Sequence, residues 1–274
     1  MHIPILTYHA NNIKGMGYQT NDHIALAADL KLIHQLGLRI ISLDQLMGWR
    51  LGHTADSSVE NAVVLTCDDG SDFDFHDLDH PNYGVQVSFL NILKAHQNAT
   101  GQDVHMTNFV IVSPEVRVIL DEKCLVGEGW WSDDWWQVAQ DSGLMHIANH
   151  SWDHNHGVLD NLNVGDDSFH HINNQQQCDQ QIRQAQDYLH KQIGNDYQAK
   201  YFAYPYGNFS DYLRHEYLPQ HGAAIGLQAA FTTDPNHANK LSDVWAIPRY
   251  VCNNDWEDSS ELKNILIRHK QTNQ

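Results

Sequence analysis

Basic side chains are scarce in this sequence. Lys and Arg number 16 against 34 Asp and Glu, a formal charge of −18. Nucleic-acid binding needs clustered Lys and Arg to neutralise phosphates, so that class is set aside. An anionic membrane surface is disfavoured by the same repulsion. Only four cysteines occur, Cys67, Cys124, Cys178 and Cys252, far apart and in no CxxC pair. That excludes a disulfide framework and a thiolate zinc site. No apolar run reaches the ~20 residues of a membrane-spanning helix. The opening MHIPILTYHA has neither the basic start nor the apolar stretch of a signal peptide, so a cytoplasmic protein is expected. An exported precursor trimmed of its leader would look the same. Linkers rich in Gly or Ser and internal repeats are also missing, and no obligate protein partner is evident.

What is present is an alternation. Of the 274 residues, 42% are hydrophobic, enough for one sizeable core. Strands are expected at Ile3–Tyr8, Arg39–Leu43, Ala62–Thr66, Asn108–Val112, Leu144–Ala148, Lys200–Tyr204, Ala223–Leu227 and Val244–Ile247. Helices are expected over Asp22–Leu36 and Gln86–His96, after Ser113-Pro114, from Ser132 to near Gly143, over Ile172–Ile193, and after the capping-box pattern Asp258-Ser-Ser-Glu261. Alternating strand and helix implies a parallel sheet covered by helices. The fold class is therefore α/β: a distorted (β/α)7-8 TIM-like barrel in a single domain over residues 1–274, with a doubly wound open sheet as the alternative.

Five groups of residues with chemical potential fall at the ends of expected strands, which in a parallel barrel share one rim. Thr66-Cys67-Asp68-Asp69-Gly70 ends a strand with two carboxylates, and Gly70 can turn the chain so that both reach one pocket. An acidic turn is the bland alternative. His150-Ser151-Trp152-Asp153-His154 places two imidazoles at i and i+4, which meet on one side of a helical turn. HxxxH is a weak signal in a chain with 20 histidines, but this pair directly follows a strand. Two imidazoles and a carboxylate suit a divalent ion, zinc first and Co2+, Ni2+ or Mn2+ as alternatives, with coordination sites left for water and substrate. The spare aspartate can then act as general base.

Tyr204-Pro205-Tyr206-Gly207 reads as a tight turn able to aim the Tyr206 N–H at an oxyanion, or as an ordinary turn with packed tyrosines. His9 follows the first strand and Arg249 the eighth. Trp130, Trp131, Trp135, Trp136 and Trp152 crowd the second motif and offer faces for sugar rings or for core packing. Arg249, Tyr204 and Trp152 are the candidate substrate contacts. Asp72, Asp74, His76 and His156 are read as solvated loop polarity, with shaping of the cleft or binding of a second ion as the alternative.

On these motifs the chain resembles the polysaccharide deacetylase family, also called NodB-homology or carbohydrate esterase family four. Thr66–Gly70 is similar to its TFDDG motif, His150–His154 to H-[ST]-x-x-H, and Tyr204–Gly207 to the end of its third motif. The resemblance covers Ile3 to Arg249. It implies a distorted (β/α)7 barrel, metal binding by Asp69, His150 and His154, Asp68 as base, and Tyr206 as oxyanion donor. Three departures stand out. Cys67 replaces the usual Phe. Ala203 stands where an arginine often orients the base, with Arg249 as a candidate substitute. The family's Leu-x-His acid motif has only Ile267-Arg268-His269 to match it, inside an expected helix. The start Leu6-Thr7-Tyr8-His9 is similar to the circularly permuted, poly-N-acetylglucosamine deacetylase-like branch, which makes His9 the expected general acid ahead of His269. The expected activity is metal-dependent removal of acetyl groups, N-acetyl first, from a carbohydrate. A deacylase of a small amide and an inactive sugar-binding module are the rival readings.

Overall fold

The computed structural model describes residues 1–159, 168–194 and 197–271. Residues 160–167, part of the polar Asn155–His171 stretch, lie outside the described residues, as does the side chain of His269. The strands are β1 (Ile5–His9), β2 (Arg39–Ile41), β3 (Ala62–Asp68), a small antiparallel pair β4 (Leu78–His80) and β5 (Gly84–Gln86), then β6 (Met106–Val110), β7 (Met145–Asn149), β8 (Tyr201–Ala203), β9 (Ala229–Phe231) and β10 (Tyr250–Val251). The main sheet is parallel throughout, in the order β10-β1-β3-β6-β7-β8-β9, with β2 beside the start of β3. Strand order follows chain order without the reversal of a doubly wound sheet. Ile247 bridges to Phe231, and β10 then pairs with β1, so the sheet curls back on itself. The fold is the distorted α/β barrel.

Helices α1 (Asp22–Gln35), α2 (Leu43–Arg50), α3 (Phe89–Thr100), α4 (Pro114–Cys124), α5 (Trp136–Asp141), α6 (Gln175–Cys178), α7 (Gln184–Ile193), α8 (Leu218–His221) and α9 (Ser259–Gln271) fill the connections, with a π turn joining α6 to α7. Their starts follow local chemistry. Asn21, Ser88 and Ser113 each accept a backbone N–H of the first turn, as N-cap side chains do. Asp258 does the same for α9, but the Glu261 carboxylate reaches back to the N–H of Glu257 rather than that of Asp258. No helix among the described residues is long and apolar enough to cross a membrane.

Three expected elements move. Ala223–Ile225 is a 3-10 turn ended by left-handed Gly226, and the strand begins later, at Ala229. Val244–Ile247 is not a strand; Ile247 alone bridges, and regular pairing starts at Tyr250. Pro248 lacks the N–H that a continuous ladder needs. Ser132 caps no helix, because its hydroxyl binds Asp72 and the helix starts at Trp136.

The two-residue period of a strand sorts the core. Val63, Leu65 and Cys67 pack against the helices, while Ala62 and Val64 meet Ile5, Phe109, Ala148, Ala203 and Phe231 inside the barrel. Stepping by two along the inner face leads to the rim: Ile5, Thr7, His9 on β1; Val64, Thr66, Asp68 on β3; Ala148 and then His150 after β7. The sequence period thus carries three site residues to one mouth.

On the helix side, Asp29 of α1 ties three segments together. Its carboxylate accepts from Tyr8 at 3.0 Å, Tyr18 at 2.6 Å and Trp256 at 3.2 Å. Burial pushes the Asp29 carboxyl up, and the three bonds only partly offset it, leaving it at about 6. A carboxyl raised in the folded state contributes stability below its unfolded value, and loses it as pH rises through the folded value. Wild-type protein should therefore lose about 2 kcal/mol from this group between pH 4 and pH 7. Urea titrations of Asp29→Asn should show that loss flattened, and an unchanged pH dependence would refute the assignment.

Candidate metal centre and active site

Asp68 ends β3 on the inner face, and the chain must turn at once to bring the next carboxylate to the same place. Asp69 does so with φ 77°, followed by Gly70 at φ 77°. Only glycine fits at position 70, since a Cβ there would lie 2.4 Å from Val110 Cγ1. The two carboxylates therefore share one pocket instead of pointing to opposite faces.

The second motif reaches the pocket by a different route from the one expected. Residues 150–154 form no helical turn; Ser151 and His154 are left-handed, with φ 76° and 62°. Ser151 N–H binds Asn149 Oδ1 at 2.7 Å, and Ser151 Oγ accepts the His154 N–H at 2.9 Å. This folded loop sets the two rings 4.9 Å apart between centroids. His150 and His154 converge as expected, but through side-chain-to-backbone bonds rather than helical spacing.

Asp69 Oδ1 lies 3.5 Å from His150 Nε2 and 3.7 Å from His154 Nε2. Ligand atoms around one tetrahedral zinc sit roughly 3.4 Å apart, given bonds of about 2.1 Å. Among the described residues this is the one group whose three ligand atoms converge, all within 4.8 Å. His150 Nδ1 lies 2.9 Å from the Ala203 carbonyl, which can only accept, so in the neutral ring the proton sits on Nδ1 and Nε2 is left for an ion. Asn11 Nδ2 donates to Asp69 Oδ2 at 2.9 Å, leaving Oδ1 for an ion. Donor types, spacing and tautomer all fit a divalent cation.

The charges are strongly perturbed. Burial raises Asp69, but the His150 hydrogen bond and the charges of His9, His154 and His150 outweigh it and hold it well below the carboxylate range. His154 is pushed down to about 3 by burial and by the charge of His150. Its neutral ring is the form that ligates. His150 moves the other way: burial lowers it, and Asp68 and Asp69 more than reverse that.

Asp68 is gripped by Arg249 through two parallel bonds of 2.7 Å. Arg249 is fully buried, with Nε on the Thr232 carbonyl at 3.1 Å and its guanidinium over Phe109. Burial pushes Asp68 up, but the charges of Arg249 and His150 and the Arg249 bonds carry it below the usual value. Asp68 is therefore ionised at neutral pH, the form a base requires.

The pocket has a volume of about 330 Å³ and is lined by His9, Asp68, Asp69, His150, His154 and Tyr206, among others. His9 pairs with Asp68 across β1 and β3. Tyr206 sits in a left-handed turn, its ring 4.5 Å from that of His154. A larger groove of about 850 Å³ between α1 and α3 is lined by no carboxylate, so the chemistry belongs to the smaller pocket.

Three expected substrate contacts do not reach the pocket. Arg249 is locked onto Asp68. Tyr204 is buried, its hydroxyl bound to the Trp245 carbonyl. Trp152 packs on Tyr188. Trp131 is the tryptophan at the pocket wall, its Nε1 donating to the Asp69 carbonyl at 3.4 Å; Trp135 and Trp136 are core residues. Asn11, Cys124, Thr233 and Asn254 also line the pocket and carried no motif signal. Asp72 and Asp74 are buried rather than solvated.

The sequence profile of polysaccharide deacetylases matches residues 55–224, well over half of the chain. The chain belongs to the polysaccharide deacetylase family. The matched span holds all three motifs but neither His9 nor Arg249. Membership makes the protein a carbohydrate deacetylase, a hydrolase, with a possible Asp-His-His metal site. Solved structures share the fold. The Streptococcus pyogenes deacetylase PplD in complex with acetate is 18% identical with a TM-score of 0.65, covering 97% of this chain and 98% of that one. IcaB from Ammonifex degensii is 18% identical with a TM-score of 0.64, covering 97% of each. A de-N-acetylase from Aggregatibacter actinomycetemcomitans is 16% identical with a TM-score of 0.59, covering 97% and 100%. No curated protein matches the sequence.

The Asp68–Arg249 pair yields a stability test. Arg249→Met leaves a buried carboxylate unpaired and should cost about 3–5 kcal/mol at neutral pH. The depressed acid contributes its stability above the unfolded value and loses it as pH falls through the folded value. The gap between wild type and variant should therefore shrink as Asp68 becomes protonated. Urea titrations that give a gap independent of pH would contradict the pairing.

Proposed function

We propose that this deacetylase hydrolyses an N-acetyl group on a carbohydrate, using Asp69, His150 and His154 to hold one divalent ion, zinc first among the candidates. The observation that supports this most directly is the meeting of an ionised carboxylate, Asp68, a histidine, His9, and the Asp69-His150-His154 group at one rim. When bound, the ion supplies a Lewis acid and lowers the pKa of a water molecule. Asp68, held in one orientation by Arg249, takes the proton from the attacking water. Tyr206, in its tight turn at the wall, offers its backbone N–H to the carbonyl oxygen as negative charge develops there. His9, beside Asp68 on the next strand, delivers a proton to the departing nitrogen. An amine leaves far more readily protonated than as an anion, which is why a histidine at this position favours an amide over an ester substrate. Trp131 and Tyr206 supply the aromatic walls against which a sugar ring would lie.

Metal analysis of carefully prepared protein should find about one divalent ion per chain, lost in the His150→Ala, His154→Ala double variant. Protein free of metal at full activity would sink the reading. Asp68→Asn should keep the ion while acetate release from N-acetylglucosamine oligomers falls by at least about 10²-fold. His9→Ala should fall comparably and His269→Ala should not; the reverse pattern would move the acid to the end of the chain. Acetylxylan, an ester substrate, should be turned over more slowly than the amide.

A further inference from the structure

The turn that follows the two acidic residues has no part in the reaction above, yet it is built from buried carboxyls. Asp74 is fully buried. Its Oδ1 accepts from Cys67 Sγ at 2.8 Å and from Asn108 Nδ2 at 2.9 Å, and its Oδ2 lies 3.4 Å from Ser71 Oγ. These partners are not scattered. Cys67 immediately precedes Asp68, Ser71 immediately follows Gly70, and Asn108 lies on the neighbouring strand β6. The Asp74 side chain therefore closes the eight-residue loop 67–74 around Asp68 and Asp69 and anchors it to the sheet.

That closure answers a need. A non-glycine residue held in the left-handed region costs on the order of 1–3 kcal/mol and persists only where its surroundings over-determine it. Asp69, at φ 77°, is such a residue. Its carbonyl is held from the far side by Ile111 N–H at 3.0 Å and Trp131 Nε1 at 3.4 Å. On the near side the loop is held through Asp74. The phenylalanine usual at position 67 in this family's first motif has no donor for a carboxyl, whereas the Cys67 thiol has one.

We propose that Asp74 is a positioning residue of the metal centre: its carboxyl clamps the loop between Cys67, Ser71 and Asn108 and so holds Asp69 with Oδ1 toward the two histidines. The proposal rests on the reading of Asp69 as a metal ligand. Burial, with added repulsion from Asp69 and Asp72, outweighs the bonds from Cys67 and Ser71 and brings the Asp74 carboxyl to about 8. It is thus protonated at neutral pH. A neutral acid is far cheaper to bury than a carboxylate, and it adds no further negative charge to that of Asp68 and Asp69. An amide has the same shape and keeps the accepting oxygen, so Asp74→Asn should replace the acid, and Asp74→Ala should not.

The test compares full-length wild type, Asp74→Asn, Asp74→Ala and Cys67→Ala by three measurements: amide exchange at Ile111, whose N–H reports on the Asp69 carbonyl; Zn2+ affinity by chelator competition; and global unfolding. Asp74→Ala should lose about tenfold or more in Zn2+ affinity. Its Ile111 protection should fall, with exchange in β1 and β9 unchanged. Asp74→Asn should stay within about threefold of wild type in affinity, and Cys67→Ala should fall between the two. Wild-type Zn2+ affinity and Ile111 protection in Asp74→Ala would overturn the proposal, as would a loss spread evenly over the sheet, which marks an ordinary core residue. If Asp74→Ala does not fold, the ranking of Cys67→Ala below Asp74→Asn decides. If wild type binds no Zn2+ while Ile111 protection still follows the series, the ligand reading of Asp69 fails and the clamp on its backbone stands.

Discussion

The buried pair of Asp68 and Arg249 is the interaction on which the rest depends. One partner ends a central strand; the other lies on the segment that closes the barrel after β9. Their two 2.7 Å bonds cross the mouth between distant parts of the chain. Neither charge tolerates that site alone, because an unpaired ion in the interior carries a heavy desolvation cost. The pair therefore couples closure of the fold to the ionisation of the base. A barrel that failed to bring Arg249 home would lose both the charge that favours the ionised form of Asp68 and the two bonds that fix its orientation.

Much of this arrangement was legible in the sequence because strand geometry is periodic. Buried strands read as apolar runs, and stepping by two from Val64 reaches Asp68. His9 is found the same way from Ile5. The third motif, too, carries its own signature in Pro205 and Gly207. What the sequence could not show was how irregular backbone behaves. The HxxxH spacing suggested a helical turn, yet the histidines meet through a left-handed loop held by Asn149 and Ser151. Ala223–Leu227 has strand-like composition but is turned by Gly226. Trp152 sits inside a motif and faces away from the pocket, while Trp131 reaches it because of long-range bonds that no local pattern encodes. Asp72 and Asp74 look like loop polarity until the partners of their side chains, 60 or more residues away for Asp72 and 34 away for Asp74 in the case of Asn108, come into view.

Left-handed residues other than glycine mark the same place. Among the described residues these are Asn61, Asp69, Ser151, His154, Asn155, Tyr206 and Asn253. All except Asn61 line the pocket or adjoin a residue that does. Conformations of this kind are concentrated where function outweighs local stability. Two of these residues are braced by buried side chains: Asn149 Oδ1 accepts the Ser151 N–H, and Ser151 Oγ accepts the His154 N–H.

Two kinds of order therefore build the site. The inner face of the sheet delivers His9 and Asp68 by strand period alone, and these are the residues proposed to move protons. Asp69 and His154 are off that period and arrive through strained turns; with His150, which follows β7 on the period, they are proposed to hold the ion. A strand position has a stiff backbone, and Arg249 has only to fix the orientation of the Asp68 carboxylate. A turn position needs bracing but can set three ligand atoms at spacings that no single strand or helix provides. Buried polar side chains crowd the turns, while Ile5 and Leu6 of β1 and Ala62–Leu65 of β3 below them are apolar. The division also places two of the chain's three departures from its family, at Cys67 and Arg249, in the bracing rather than among the ligands.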